Sequence, residues 1–439
     1  MAEFHTPESN RGSMRSSTSS ASSSTYSRGS ASKTWHLNRA FYNYSYSDKV
    51  PRISQERIHI QAQLGGHFGR AMGVDFVDNT TIVSCAQDSK MILWNAKSGH
   101  KRAWVNLPPG SIPTCCTVER SEHRLMACGG FNASIEVFDI DKCLRAGEHG
   151  LLDSIDNLLH NSKEGSGGNG EESPQTNPMQ KQDPMHTCTT TSRHEAVFSG
   201  HRSFITDVTW CEAGKRLIST SGDSSSILWD VEARTKLVTL KGHKDDVNCV
   251  AVSPVDSRLF VTAGQDGRCL VWDMRINTSV GKRSNKSSGE KKFTKSTSIT
   301  KMEPRSAFKA SLEKGDAAVN CAAFFPDGHA FLAGGEDGRT SIYDLRCDSM
   351  ITSIDANEAG SPVNAALFSA SGRLVFLGGA DGSIRVYDLT RQERAPPMRS
   401  SDSLSVLDAH KADVNSLALS PDGSTVASAS DDMSIFLWG

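Results

Sequence analysis

The chain has 439 residues, with 48 Lys+Arg against 50 Asp+Glu, a formal net charge of -2 and a pI near 6.7. That balance gives no basic footprint for nucleic acid, and no apolar run approaches the roughly 20 residues a membrane-spanning helix needs. Met1-Ala2-Glu3-Phe4-His5 carries neither a signal-peptide stretch nor a myristoylation glycine, and Leu437-Trp438-Gly439 has no prenylation cysteine, so a soluble, cytoplasmic chain is expected.

Residues 1–49 read as a disordered tail. Positions 11–34 hold 14 Ser/Thr in 24 residues, too little apolar surface to offset ordering entropy. An aromatic patch follows (Trp35, Phe41, Tyr42, Tyr44, Tyr46) without helical or strand period. Residues 50–439 read as one repetitive domain. It opens on Ile58-His59-Ile60-Gln61-Ala62-Gln63-Leu64, whose period-2 alternation predicts a strand over 57–64.

A repeat then begins. A full unit, Gly242-His243 through Trp272-Asp273, reads Gly-His, an aliphatic residue, a tight turn, a small-residue strand, Asp, and a strand ending Trp-Asp. Six times an Asp and once an Asn precedes an aromatic by six residues: Asp88/Trp94, Asn132/Phe138, Asp223/Trp229, Asp266/Trp272, Asp337/Tyr343, Asp381/Tyr387 and Asp432/Trp438. Four units add a His 21, 22, 23 and 22 residues before the Asp, at His67, His201, His243 and His410. Turns such as Pro326-Asp327-Gly328 and Pro421-Asp422-Gly423 separate four short strands per unit. Units of about 43 residues with four strands predict an all-β, seven-bladed propeller.

The spacing of the aromatics widens twice. Between Phe138 and Trp229 the step is 91 residues, and between Trp272 and Tyr343 it is 71, so loop insertions are expected over about 144–193 and 276–312. Leu151-Leu152, Ile155 and Leu158-Leu159 share one helical face in the first insertion. The stretch 274–312 holds ten Lys/Arg against two Glu. The seventh unit stops after its third strand, and strand 57–64 is the available fourth, closing the ring and covering two edges.

The chemistry-bearing residues read as structural. Cys85, Cys115, Cys128, Cys249, Cys269 and Cys321 lie in apolar strand patterns, with neither a Cys-x-x-Cys pair nor zinc spacing, so free buried thiols and no metal are expected. Ala127-Cys128-Gly129-Gly130, Ala333-Gly334-Gly335 and Gly378-Gly379 are strand-end glycines with no P-loop spacing, so no nucleotide and no other cofactor is expected. An enzyme needs one site, whereas the His/Asp/Trp set recurs in four units; no catalytic residue is assigned.

The repeat resembles the WD40 family. In that family His, Asp, a strand Ser/Thr and Trp form a buried hydrogen-bond chain, which implies structural staples at His67/Asp88/Trp94, His201/Asp223/Trp229, His243/Asp266/Trp272 and His410/Asp432/Trp438. Blades two, five and six lack the His and should be less firmly stapled. Arg216-Leu217-Ile218-Ser219-Thr220-Ser221-Gly222-Asp223, Ser257-Arg258-Leu259-Phe260-Val261, Phe324-Phe325-Pro326-Asp327-Gly328-His329-Ala330-Phe331, Tyr343-Asp344-Leu345-Arg346 and Phe368-Ser369-Ala370-Ser371-Gly372-Arg373-Leu374 are similar to the heterotrimeric G-protein β subunit.

That resemblance implies a signalling scaffold binding a G-protein α subunit through one rim, and a membrane only indirectly, through partners at the inner face of the plasma membrane. The α-contact positions it carries over are Arg70, Lys90, Ile92, Lys101, Asp246 and Glu336. Ser111 and Asp431 stand where the family has rim tryptophans, each replacement removing on the order of 2 kcal/mol of anchoring. Ala318 and Ala133 replace family acidic and Asn positions.

Residues 1–49 show no heptad for the coiled coil that the family forms with a γ subunit. Either γ binds the propeller alone, or this is a β-like protein without γ, or the N-terminus is not native. A reading from another class is a substrate receptor of a cullin-type ubiquitin ligase, on Trp272-Asp273-Met274-Arg275 and, loosely, Tyr343-Asp344-Leu345-Arg346.

Overall fold

Strands rich in Val, Ile and small residues, cut every few positions by Asp- and Gly-bearing turns, fold locally into antiparallel meanders. The computed structural model describes residues 58–108, 110–147, 194–275, 302–309, 317–356, 360–391 and 397–439. The expected tail over 1–49, the helical face over 151–159 and the greater part of both insertions lie outside the described residues.

The first strand, β1 (Ile60–Gly65), precedes blade 1. Blade 1 is β2 (Ala71–Phe76), β3 (Thr81–Ala86), β4 (Lys90–Asn95) and β5 (Lys101–Asn106). Blade 2 is β6 (Pro113–Val118), β7 (Leu125–Gly130), β8 (Ser134–Asp139) and β9 (Ala196–Ser199). Blade 3 is β10 (Ile205–Cys211), β11 (Arg216–Ser221), β12 (Ser225–Asp230) and β13 (Thr235–Lys241). Blade 4 is β14 (Val247–Val252), β15 (Leu259–Gly264), β16 (Arg268–Asp273) and β17 (Ser306–Lys309). Blade 5 is β18 (Val319–Phe324), β19 (Ala330–Gly335), β20 (Arg339–Asp344) and β21 (Ser349–Asp355).

Blade 6 holds β22 (Val363–Phe368), β23 (Leu374–Gly379) and β24 (Ser383–Asp388). The chain then reaches back to blade 5, where the short β25 (Met398–Arg399) pairs in parallel with β21, before β26 (Ser405–Asp408) completes blade 6. Blade 7 is β27 (Val414–Leu419), β28 (Val426–Ser430) and β29 (Ser434–Trp438). Its fourth strand is β1, antiparallel to β29 with Leu64 opposite Ile435, and His59 and Gly439 exchange backbone hydrogen bonds of 3.2 and 3.1 Å.

Two boundaries differ from the sequence reading. β17 lies inside the stretch taken as the second insertion, and residues 140–147, at the start of the first, continue β8 as a helix. A four-residue strand, with Phe308 buried, is too short to show a period within a basic run.

Each sheet is sandwiched between its neighbours, so both faces are buried and the core forms layers between blades. All seven inner strands bulge between their first and third residues, as at Ala71/Gly73 and Val247/Cys249. The second residue of each inner strand thereby lines a central channel of about 370 Å³. From there it reaches the next blade: Thr206 Oγ1 donates to Val247 O (2.5 Å), Asn248 Nδ2 to Val319 O (2.9 Å), and Asn415 Nδ2 to Ala71 O (3.0 Å). This belt ties blade to blade, the last to the first included.

Candidate interaction rim

In each blade the turn between the second and third strands carries the Asp or Asn. In blades 1, 3, 4 and 7 that Asp ends a buried hydrogen-bond chain. In blade 4, Trp272 Nε1 donates to Thr262 Oγ1 (2.8 Å), Thr262 lies 2.9 Å from His243 Nε2, and His243 Nδ1 lies 2.9 Å from Asp266. The same geometry joins Trp94, Ser84, His67 and Asp88; Trp229, Ser219, His201 and Asp223; and Trp438, Ser428, His410 and Asp432.

Every donor is satisfied when the imidazole is neutral, with its proton on Nδ1 facing the carboxylate. Burial pushes His201 and His410 below their ordinary values, against the pull of Asp223 and Asp432. The Asp also accepts the amide after the His, at 3.0 Å for Phe68, 2.9 Å for Arg202, and 3.0 Å for Lys244 and Lys411. The chain therefore fixes the rim loop as well as the strand.

Blade 2 is built differently. Asn132 Nδ2 donates to Ser111 Oγ and Glu136 Oε1, both at 3.0 Å, and Glu136 is only 2% exposed. Among the described residues, Glu136 Oε2 and His194 Nδ1 each lack a hydrogen-bond partner, and they lie 3.8 Å apart. Burial pushes the Glu136 carboxyl up, outweighing His194, Asn132 and Ser111.

A proton is thus held more tightly in the folded than in the unfolded chain. This group contributes stability that is full below the unfolded value of about 4.5 and is lost as pH rises through the raised folded value. Glu136→Gln is expected to flatten that stretch of the stability–pH curve without loss at neutral pH. Urea titrations between about pH 4.5 and 7.5 test this, and a slope identical to wild type sinks it.

The residues the sequence places at the rim fare unequally. Ile92 is a correction: it is 1% exposed and packs with Ala71, Val74 and Trp94, out of any partner's reach. Arg70 is exposed but ion-paired at 3.0 Å with Asp431, which also takes Asn415 Nδ2 at 2.7 Å. Lys101 donates to Gly66 O (2.9 Å) over the Trp94 ring, and burial pushes its ammonium down. These two therefore hold loops in place. Lys90 keeps its ammonium 5.8 Å above the Phe68 ring. Asp246 makes no side-chain hydrogen bond among the described residues, and burial followed by Asp245 and Asp223 pushes its carboxyl up. Glu336 is exposed. Ser111 and Ala318 are buried.

Sequence reasoning passed over the aromatics beside these charges. Phe68 is 77% and Phe131 56% exposed, and Phe131 stacks on Phe204 of the next blade at 5.4 Å. Ser89 Oγ donates to Ser111 O (2.6 Å), and the Phe131 amide to Ile112 O (3.0 Å). One strip thus runs from Phe68 and Lys90 through Ile112, Phe131 and Phe204 toward Asp246. A usable signal existed: Phe68 follows a Gly-His, where the other three His blades carry Arg202, Lys244 and Lys411.

The profile described as "WD domain, G-beta repeat" matches residues 192–230, 234–273, 306–344, 349–388 and 401–439. Each match takes the outer strand of one blade with three strands of the next, the same overlap that β1 and β29 make at closure. The chain is a WD40-repeat protein. It is a divergent one, similar to G-protein β subunits. It is 25% identical over 295 residues to the guanine nucleotide-binding protein subunit beta-1 of Nicotiana tabacum, covering 66% of this chain and 59% of the relative. The β subunits of Solanum tuberosum and Zea mays are each 23% identical over 290 residues, covering 64% of this chain and 58% and 57% of the relatives. The match thus spans less than two thirds of these relatives' own length. The propeller is an interaction scaffold, and among the described residues no helix is long and apolar enough to cross a membrane.

Proposed function

We propose that this WD40 chain is a G-protein β-like signalling scaffold that docks a G-protein α subunit on the rim strip of blades 1 to 4. The observation that carries this reading is the strip itself. Exposed Phe68 in blade 1 and exposed Phe131 in blade 2, the latter stacked on the half-buried Phe204 of blade 3, lie along one rim, with the Lys90 cation at one end and at the other the Asp246 carboxylate, which has no side-chain hydrogen bond among the described residues. Apolar anchors flanked by charges are what a broad protein partner needs for affinity and orientation. The aromatics take over the anchoring that Ser111 and Asp431 do not supply. The identity of the relatives supports the choice of partner.

The ligase reading has less support. Arg275 folds back onto Asp273 (2.6 Å) and Asp256 (3.0 Å), and Arg346 onto Asp344 (2.8 Å), so an adaptor would have to compete with carboxylates that each guanidinium already pairs with.

Purification of the tagged full chain from its own cells, with GDP present, should recover an α subunit. The double variant Lys90→Glu with Asp246→Lys should weaken that binding roughly 100-fold and leave the melting temperature unchanged. Recovery of ligase adaptors with no α subunit overturns the proposal.

A further inference from the structure

Three cysteines, Cys85, Cys116 and Cys128, converge where blade 1 meets blade 2, and Cys115 lies beside them on the blade 3 side of β6. Cys85 on β3 is fully buried, Cys115 and Cys128 on β6 and β7 are buried, and Cys116 on β6 opens onto the central channel. The convergence depends on Gly73. It lies opposite Cys85 in the β2–β3 ladder and faces β6 of the next blade. A Cβ there would sit 2.9 Å from the Cys116 amide nitrogen, 3.1 Å from Cys85 Sγ and 3.2 Å from Cys116 Sγ. With no Cβ present, the Cys85 and Cys116 sulfurs flank the same small space from the two sides of the blade boundary. Nothing in the rim strip or the staples uses these sulfurs.

We infer that Cys85 and Cys116 form a reversible redox site, oxidised by a hydroperoxide small enough to enter the channel, whose product is a disulfide locking blade 1 to blade 2. Cys116 is the sulfur attacked, because of the two among these four that line the channel, Cys115 and Cys116, it is the one that is not buried. Its sulfur displaces one oxygen of the hydroperoxide. The O–O bond breaks, an S–O bond forms to give the sulfenic acid, and the other oxygen leaves as water or an alcohol. Cys85 sulfur then attacks Cys116 sulfur. The S–S bond forms, the S–O bond breaks, and the hydroxide leaves as water with the Cys85 proton. Two thiols are oxidised by two electrons, and the hydroperoxide is reduced by the same two. A dithiol reductant reverses the step.

The neighbouring Cys116 thiol pushes the Cys85 thiol up, as does burial, which suits a resolving thiol that stays protonated until the sulfenic acid is beside it. The bridge joins residues 85 and 116, whose strands flank the Lys90 turn and the Ser111–Ile112 segment. Oxidation therefore stiffens the part of the rim that carries Phe68 and Ile112.

The full chain, treated with hydrogen peroxide, alkylated under denaturing conditions and digested without reductant, should yield a Cys85–Cys116 linked peptide lacking two hydrogens. The melting temperature should rise by roughly 5 °C and return on adding dithiothreitol. Cys85→Ser and Cys116→Ser should each abolish both changes, and the wild-type peptide map decides the matter even if a variant folds poorly. Alkylation of both thiols after oxidation, a link from Cys116 to Cys128 or Cys115 instead, or a Cys116 sulfinic acid without the link overturns the inference.

Discussion

Deleting residues 58–65 is expected to abolish cooperative unfolding and drive the protein into aggregates. β1 covers the whole of β29, pairing from Ile60/Trp438 to Gly65/Ser434. Without it, β29 becomes an open edge of five residues whose backbone donors and acceptors template association. Leu64 leaves the layer it shares with Phe76, Trp94 and Leu437, a loss of about 2 kcal/mol for the side chain alone. The larger effect is geometric. Each blade contacts only its neighbours, and β1 is covalently attached to blade 1 while it completes blade 7, so its loss opens the ring. Size-exclusion chromatography with a thermal melt checks this. A monomeric deletion variant with a sharp transition near the wild-type temperature would rule it out.

The second large effect separates blades that carry the buried chain from those that do not. Asp266→Ala removes the acceptor for His243 Nδ1 (2.9 Å), the Lys244 amide (3.0 Å) and the Arg268 amide (3.2 Å). The imidazole, held on its other side by Thr262, is left with a buried donor. Stranded buried donors cost roughly 1–3 kcal/mol each, so a loss of about 3 kcal/mol is expected, lowering the melting temperature by roughly 5 °C or more. Asp337→Ala in blade 5 should cost under about 1 kcal/mol, because that carboxylate, among the described residues, accepts the turn amide of Arg339 (3.0 Å) and no imidazole. Denaturant melts of the two variants decide it, and equal losses would show that the His chain adds nothing to the turn it shares.

The contrast between these blades was legible in the sequence because the chain is local. His, Ser/Thr, Asp and Trp of one staple fall within 30 residues, the longest running from His243 to Trp272, and turn lengths fix their separation. Blade 2 was legible only as a gap. Its substitute network draws on Ser111 and Glu136, with His194 beside it on the far side of an insertion, and no repeat position announces them. The outer strand of blade 4 was lost for a related reason. Ser306–Lys309 is too short to show alternation, and its pairing with β16 is made across the second insertion.

Ile92 failed for a different physical reason. Alternation along a strand normally separates a core face from a water face, but a propeller sheet has a neighbour on each side. β4 is buried at Met91, Ile92, Leu93 and Trp94 in succession, so neither phase of its alternation marks a surface. Exposure at the rim is decided in the turns, where Phe68 and Phe131 stand free.

The six-residue step from Asp to aromatic by itself determined the number of blades, the strand order within each and the staples, because turn chemistry and strand length act within one unit. Only closing the ring decided which rim charges are free. Arg70 and Asp431 are 361 residues apart in the chain and 3.0 Å apart in space, and that pairing withdraws both from a partner. The same closure brings Phe131 to Phe204 and the Cys85 sulfur to Cys116. Contacts between blades depend on how seven sheets wedge around one channel, and no local spacing carries that information.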